Sequence, residues 1–575
     1  MLKIIKRLPK GAVTIAVAFL LVQVFCSLYL PTLTAGIVNN GVIKGNVGYI
    51  WHQGLIMVSF AVMSLVAALV NTYVAAKIAY GLGSGLRFDI FRKTTCFAND
   101  EFDKIGPASL ITRNTNDVTQ VQTLIEMGLK FFIMAPLYLF GGIILSWRLS
   151  PKLSLAFICA APFITLACVL VFRNANPLFL KLQTKLDELN LIFREGLTGI
   201  KIIRAFNRGE WEYKRYLHAN ADYAQKAIRV NVLMGFLMPV TSIFMSMAAI
   251  AITWMGALGV SLGNMEIGTI IGVITYSTQI QIGFLVLANI INLIPRGQTS
   301  AKRIYEVLDM ETAIRDPETP RHLDTACARL AFNDVSFRYQ DAEECALENV
   351  SFAVERGQTL AIIGSTGSGK STLLNLLMRF YDASRGHIEI CGTDIRNVPQ
   401  HELRAAVSLA PQQSFLFQGT VRDNIKMGDP EASDDAVWQA LGLADADGFV
   451  RELEGGLDGI VEKGGGNFSG GQKQRLGIAR ALIKKAPVYA FDDSFSALDF
   501  KTDARIRAAI KPALKDAITL IVAQRISTVM HANMIVVLDD GKVAGLGTHD
   551  ELAATNRVYR EILQSQFERG TDHER

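Results

Sequence analysis

Paired cysteines are what this 575-residue chain most plainly lacks. Its seven cysteines (Cys26, Cys96, Cys159, Cys168, Cys327, Cys345 and Cys391) are scattered and form no C-x-x-C pair. That excludes a metal cluster built on cysteine pairs and a disulfide framework, and leaves them as reduced bystanders. A strong charge imbalance is missing too: 58 Lys and Arg stand against 53 Asp and Glu, a net +5. Nucleic acid as a partner therefore has no electrostatic footprint here. Charge of either sign is nearly absent from the long apolar runs of the first half. They hold no acid placed to relay a proton, which counts against a proton-driven carrier.

What the chain does have is hydrophobic bulk, half of its residues. It is too long for one domain and too apolar for an ordinary soluble protein, and the excess sits in the first half. Six stretches reach the roughly 20 apolar residues needed to cross a bilayer: 12–34, 54–76, 127–147, 153–172, 231–258 and 267–295. The opening "MLKIIKRLPK" and the run behind it invite a signal-peptide reading. The run is too long and no small-x-small site follows, so it reads as a retained first span. Six Lys and Arg lie between the second and third spans and eleven between the fourth and fifth, against one, two and none elsewhere. By the positive-inside rule the basic connections and both chain ends face the cytoplasm. Outside connections such as "SWRLSP" (146–151) are very short, while inside ones run to about 50 residues of helical composition. Helices that continue past the membrane explain them.

Within the spans Gln23, Asn71, Gln279, Gln281, Asn289 and Asn292 are the polar exceptions, expected to hydrogen-bond helix to helix. Met234, Met238, Met245 and Met247 on the fifth span read as lipid-facing packing, with an adaptable substrate wall as the alternative. Two cytoplasmic patches, 102–122 and 196–216, would hang at the far tips, within reach of a soluble domain.

From about residue 330 short β-rich runs alternate with helices, the mark of an α/β domain. "TLAIIGSTGSGKSTLLNLLMRF" (359–380) gives a buried strand, a glycine loop and a helix. Gly364, Ser365, Thr366, Gly367, Ser368, Gly369, Lys370 and Ser371, with Thr372 behind them, match the P-loop spacing. Glycines let backbone N–H groups curl around phosphate oxygens, and the helix N-terminus adds a positive dipole end. Lys370 is placed for the β- and γ-phosphates and the Ser371 hydroxyl for Mg²⁺. Downstream, "PVYAFDD" (487–493) ends an apolar strand on Asp492, a second Mg²⁺ ligand acting through water. "NFSGGQKQR" (467–475) sets Ser469, Gly470 and Gly471 ahead of a helix beginning near Gln472. This second anion-binding turn calls for a second nucleotide, which another copy of the domain would bring.

At these residues the chain resembles the ABC exporter superfamily, as a half-transporter of six spans followed by one ATPase domain. The resemblance covers nearly the whole chain. It implies a six-helix membrane domain followed by an α/β P-loop ABC ATPase domain, with ATP and Mg²⁺ as cofactors. Tyr339 in "VSFRY" fits the aromatic that stacks on adenine, and Gln412 in "APQQSFLF" the loop glutamine joining Mg²⁺ to the membrane domain. "FSGGQ" (468–472) fits the family signature, with Phe468 in place of leucine and Ser469, Gly470, Gly471 and Gln472 intact. "SALD" (496–499) fits the loop that puts Asp499 at the dimer seam. The patches at 102–122 and 196–216 look like the coupling helices. In this family two ATPase domains close head to tail, each ATP lying between one P-loop and the other signature.

The resemblance also exposes two departures. The position after Asp492 usually carries a glutamate that orients the attacking water; here it is Asp493, one methylene shorter. A switch histidine is replaced by Gln524, which donates a hydrogen bond but cannot become cationic. With the binding residues intact, the P-loop site is expected to bind ATP well and cleave it poorly. The implied reading is one subunit of a heterodimeric, multidrug-type exporter, multi-pass in the cytoplasmic membrane. Its partner would be a second half-transporter carrying Glu and His, and its substrate lipophilic or amphipathic. Alternatives are an exporter-fold importer of a metal chelate and a homodimeric lipid or peptide exporter. The expected layout is a cytoplasmic N-terminus over 1–11, a membrane domain over 12–296, a linker over 297–329, a nucleotide-binding domain over 330–565 and a polar tail over 566–575.

Overall fold

The computed structural model describes residues 2–323, 329–340 and 342–571, with residues 2, 176, 288–292 and 567–571 described by backbone alone. Cys327 and the side chains of Asn289 and Asn292 lie outside the described residues. The chain forms two compact units, Met1–Thr95 with Ala108–Met310, and Cys96–Pro107 with Glu311–Arg575.

The first unit is all helix. Six helical stretches are long and apolar enough to span a membrane: Lys10–Val42, Val47–Thr95, Pro107–Leu149, Pro151–Thr198, Gly209–Ser261 and Ile267–Leu287. The second runs for 49 residues and the fourth for 48, so they extend far beyond the hydrophobic layer, as the basic connections require. Ser150 alone separates the helix Met134–Leu149 from the helix Pro151–Thr198. Proline at the first position of the latter suits a helix start, where its missing N–H costs nothing. The sixth-span helix continues to Leu308. The chain expected to be linker from 297 is therefore helical over its first twelve positions.

Small residues and amides set how these helices meet. A Cβ at Gly283 would lie 3.0 Å from the Ala135 carbonyl and from the Leu139 nitrogen, so glycine there allows the two backbones to touch. Asn71 donates to the Ala16 carbonyl at 2.8 Å and Gln281 to Ser242 Oγ at 2.8 Å, the helix-to-helix role expected of them. Such bonds contribute on average about 0.6 kcal/mol each, enough to fix register without driving assembly. Met245 is buried, whereas Met238 and Met247 are about 60% exposed. One charge escaped the reading of the spans. Lys130, inside the third, pairs with Glu126 at 2.7 Å, both largely covered. The π-helical turn Gly128–Phe132 carries this lysine.

Among the described residues the second unit has twelve strands: β1 Arg329–Phe337, β2 Leu347–Glu355, β3 Thr359–Gly364, β4 Arg385–Ile390, β5 Thr393–Asp394, β6 Val407–Ala410, β7 Gly419–Thr420, β8 Ile460–Val461, β9 Val488–Asp492, β10 Ile518–Val522, β11 Met534–Asp539 and β12 Lys542–Gly547. The main sheet has the order β12-β11-β3-β10-β9-β6, parallel except for β12, and β2-β1-β4-β5 form a second, antiparallel sheet. The β3 run "TLAIIG" is buried throughout after its first residue, as a central parallel strand must be. The decisive consequence is that β3, β10 and β9 lie side by side. The glycine loop, Gln524 and Asp492–Asp493 all follow their C-terminal ends, where open α/β sheets bind ligands.

Two short helices fall in the tip patches. Asn99–Ile105 belongs to the second unit and ends on Gly106, whose φ of 79° turns the chain. Ile200–Ala205 belongs to the first unit and buries none of its residues. The first tip helix thus starts three residues before the patch expected from sequence.

Candidate nucleotide site

The glycine loop is held from behind by close packing. A Cβ at Gly369, where φ is 94°, would come within 2.6 Å of the Ala346 carbonyl, so only glycine fits. Gly369 is followed by the helix Lys370–Leu377. Lys370 Nζ donates to the carbonyls of Gly364 at 2.9 Å and Ser365 at 2.5 Å, and to Ser368 Oγ at 3.3 Å. Burial pushes its pKa down while Asp493 and Asp492 push it up, with burial the larger effect.

A cavity of about 260 Å³ opens beside the loop. Thr366, Gly367, Gly369, Lys370, Ser371 and Thr372 form one wall, Gln412, Asp492, Asp493 and Gln524 another, and Tyr339 its aromatic edge. Gly364, Ser365 and Ser368 stand behind that wall and support it. Ser371 Oγ donates to Asp492 Oδ1 at 3.0 Å, bringing two hard oxygen donors together at the helix N-terminus. This fits Mg²⁺, which takes one or two protein oxygens and completes its shell with water and phosphate oxygens. Tyr339 is braced edge-on by Phe337 and Tyr381, with ring centroids 4.8 and 5.3 Å away, and its hydroxyl meets Thr372 Oγ1 at 3.0 Å. A locked ring of this kind offers a base-stacking face at little entropic cost.

Asp493 is the centre of the second wall. Its backbone is left-handed, φ 46°, and its N–H donates to the Val522 carbonyl at 2.9 Å. Its Oδ2 accepts from Gln412 Nε2 at 3.4 Å and from Gln524 Nε2 at 3.3 Å. Burial raises the Asp493 pKa above the usual carboxylate range, against the pull of the Ser496 and Gln412 donors. Asp492 is raised as well, by burial first and then, after an opposing hydrogen bond from Ser371, by the charge of Asp493.

The signature residues do not line this cavity. Ser469 caps the helix Gly470–Leu482, which begins two residues before the start expected from sequence. Ser469 Oγ accepts from Gln472 N at 3.3 Å and Gln472 Oε1 accepts from Ser469 N at 2.9 Å, a reciprocal capping box. Gly470 has nothing within 4 Å of where a Cβ would sit, so this turn lies open to an approaching anion. Asp499 caps the helix Phe500–Ala513 by accepting from Thr502 N at 3.0 Å. Its dimer-seam role therefore rests on the resemblance, and its role within the chain is structural.

Three residues tie the site together without having been singled out in the sequence. Gln474 donates to the Gln412 carbonyl at 3.1 Å and accepts from Ala497 N at 3.2 Å, bridging the glutamine loop to "SALD" from the signature helix. Arg525 donates to the carbonyls of Ser496 at 2.9 Å and Leu498 at 3.4 Å. Gln566, on the helix Arg557–Thr571, donates to the Gln524 carbonyl at 2.7 Å and accepts from Ile526 N at 2.9 Å. Gln474 lies inside a quoted motif, so its buried amide was the one readable signal.

Comparison with known proteins agrees with this architecture. Residues 13–283 match the ABC transporter transmembrane region family and residues 347–496 the ABC transporter family. The ABC transporter ATP-binding protein YfiB of Bacillus subtilis is 37% identical over 96% of both chains. One from Mycobacterium tuberculosis is 36% identical over 95% of this chain and 94% of its own. An ATP-dependent lipid A-core flippase of Hahella chejuensis is 30% identical over 89% of this chain and 87% of its own. The structure of a bacterial Atm1-family ABC exporter with ATP bound superposes with a TM-score of 0.80 at 25% identity, covering 97% of this chain and 98% of that one. Six membrane-crossing helices, a P-loop sheet and relatives that match both from end to end make this chain a member of the ABC transporter family, a half-transporter of the exporter fold with its ATPase domain in the cytoplasm.

Proposed function

We propose that this half-transporter works with a second, different half as an exporter of lipophilic or amphipathic molecules. Its own P-loop site holds ATP long and cleaves it slowly, while its signature completes the partner's faster site. One observation carries this reading: Gln412 and Gln524 both aim their amides at the same oxygen of Asp493. The pKa of Asp493 is raised, so basicity is not what fails. Reach fails. An aspartate is one methylene short of the usual glutamate, and one of its two oxygens is already engaged by both amides. A misplacement of about 1 Å at such a group costs roughly a hundredfold in rate. Gln524 keeps the hydrogen bond but supplies no positive charge to the developing charge on the γ-phosphate.

Binding is sustained by the neighbours. Bound Mg²⁺ supplies charge neutralisation at the transferring phosphoryl group. Lys370 and the loop amides would hold the phosphates, Ser371 and Asp492 the Mg²⁺, and Tyr339 the base. The signature turn stays regular and open, ready to serve the other chain. Ile202 and Phe206, 64% and 72% exposed at the second tip, suit docking on a partner's ATPase domain.

The test compares two pairs of proteins. In the assembled transporter, Asp493→Asn is expected to change steady-state ATP turnover by less than about threefold, while Glu→Gln at the partner's equivalent position abolishes it. Brisk turnover by this chain alone, lost in Asp493→Asn, would overturn the reading.

The flippase relative favours a second reading, a homodimer that moves lipid. In that case Asp493→Glu with Gln524→His speeds the homodimer roughly a hundredfold. The heterodimer changes only modestly, since its faster site lies on the other chain.

A further inference from the structure

Lys77 is the first charged residue after the second span, and Arg7 lies just ahead of the first, so both stand at the depth of the cytoplasmic lipid headgroups. Between them lies a cavity of about 270 Å³, walled by the N-terminal segment and the helix Val47–Thr95. Its volume is many times the ~30 Å³ share of one water, which suits a phosphate-sized headgroup.

The two cations are differently held. Arg7 Nη1 pairs with Asp89 Oδ2 at 2.5 Å, and its guanidinium lies 5.8 Å over the Tyr305 ring. Its position is fixed and its charge is partly answered. Lys77 lies 6.0 Å from the Tyr73 ring, and no described carboxylate forms a salt bridge with it. The groove is therefore net positive, with one free cation.

The helix itself makes the room. Gly81 and Gly85 follow Lys77 by one and two turns on the same stripe, both lining the cavity. A Cβ at either would meet nothing within 4 Å, so helix packing does not demand glycine there. Toward the membrane centre the helix exposes Tyr73, Leu69 and Leu65, which are 66%, 62% and 59% exposed and step about 40° further round the helix from Lys77 with each turn. A cationic pocket at headgroup depth thus lies beside an exposed apolar helix surface. Basic pockets beside membrane helices on the cytoplasmic side are the general form of an anionic-lipid site.

We infer that this groove binds one anionic phospholipid of the inner leaflet, with Lys77 and Arg7 on its phosphate. The site does not depend on the partner's identity. Lys6 and Lys10 lie at the same depth but outside the groove, which makes them the control for diffuse surface charge.

The experiment is native mass spectrometry of the full-length, delipidated transporter titrated with phosphatidylglycerol, phosphatidylcholine or inorganic phosphate. Wild type is expected to take up phosphatidylglycerol in preference to phosphatidylcholine. Lys77→Gln is expected to weaken that uptake about fivefold, the equivalent of roughly 1 kcal/mol for one interfacial cation. Gly81→Leu fills the groove without touching charge and is expected to weaken it as much. Lys6→Gln with Lys10→Gln leaves it unchanged. Equal uptake of the two lipids, or an equal loss in the Lys6/Lys10 variant, overturns the inference. So does saturation by inorganic phosphate at the same concentration, which would make the pocket a free-phosphate site.

Discussion

Gln524 Nε2 donates to Oδ2 of Asp493 across 3.3 Å, from the segment that follows β10 to the one that follows its neighbour β9. By the resemblance to ABC exporters each residue is the less usual choice at its position, and in the fold the two meet. A longer acid would push past the amide toward the phosphate, and a histidine would contribute charge there. The pair as it stands satisfies itself.

Restoring both partners should release the site. In a mixed dimer whose other site is silenced by Glu→Gln, Asp493→Glu with Gln524→His is expected to raise single-turnover cleavage roughly a hundredfold. Rapid-quench measurement of the first turnover checks it. Either change alone is expected to give much less, because each new group leaves an unaltered neighbour.

Acid stability follows from the buried carboxylates. The pKa values of Asp492 and Asp493 are both raised in the fold, so the folded chain holds these protons more tightly than the unfolded one. Their cost to stability is absent below the ordinary carboxylate range and grows as pH rises through the folded values. Asp492→Asn is therefore expected to raise the melting temperature of nucleotide-free protein at neutral pH, with the gain shrinking toward about pH 4. Melts at one fixed scan rate test the sign.

The bridge from Gln566 offers a handle on the switch loop from outside the cavity. Gln566→Ala removes two hydrogen bonds, each contributing about 0.5–1.5 kcal/mol. It is expected to speed release of bound ATP from this chain's site several-fold. Gln566→Glu keeps the acceptor for Ile526 N and loses the donor to Gln524, so it should fall between. Stopped-flow release of a fluorescent ATP analogue distinguishes the three.

The hydroxyl of Tyr381, which braces the Tyr339 ring, donates to Asp103 Oδ2 at 3.2 Å on the first tip helix. Its pKa is pushed up to about 12, by burial first and then by Asp103, so it stays a donor at every working pH. Tyr381→Phe is expected to lower substrate-stimulated ATPase activity severalfold while basal turnover holds. That difference should not vary between pH 6 and about pH 9.

The legible parts of this chain were those where chemistry dictates residue type. Gly369 had to be glycine, Ser371 and Asp492 had to be hard oxygen donors, and the six spans had to be long and apolar. What stayed hidden depends on distance folded away. Gln566 meets Gln524 across 42 positions, and no local pattern announces it. Lys130 hid inside an apolar run because its partner Glu126 lies just outside the assigned span. The sixth-span helix runs past 297 because packing, and not composition, sets where it stops.

Ser150 leaves one final consequence. A single residue turns the chain between the third and fourth spans, and Ser146 Oγ and Ser154 Oγ meet behind it at 2.5 Å. A corner this tight has no slack to pay out. Whatever opens toward the exterior must leave these two helices joined at the tip, travelling together like the closed end of a pair of tweezers. Proteases and antibodies approaching from that side would find almost nothing to grip.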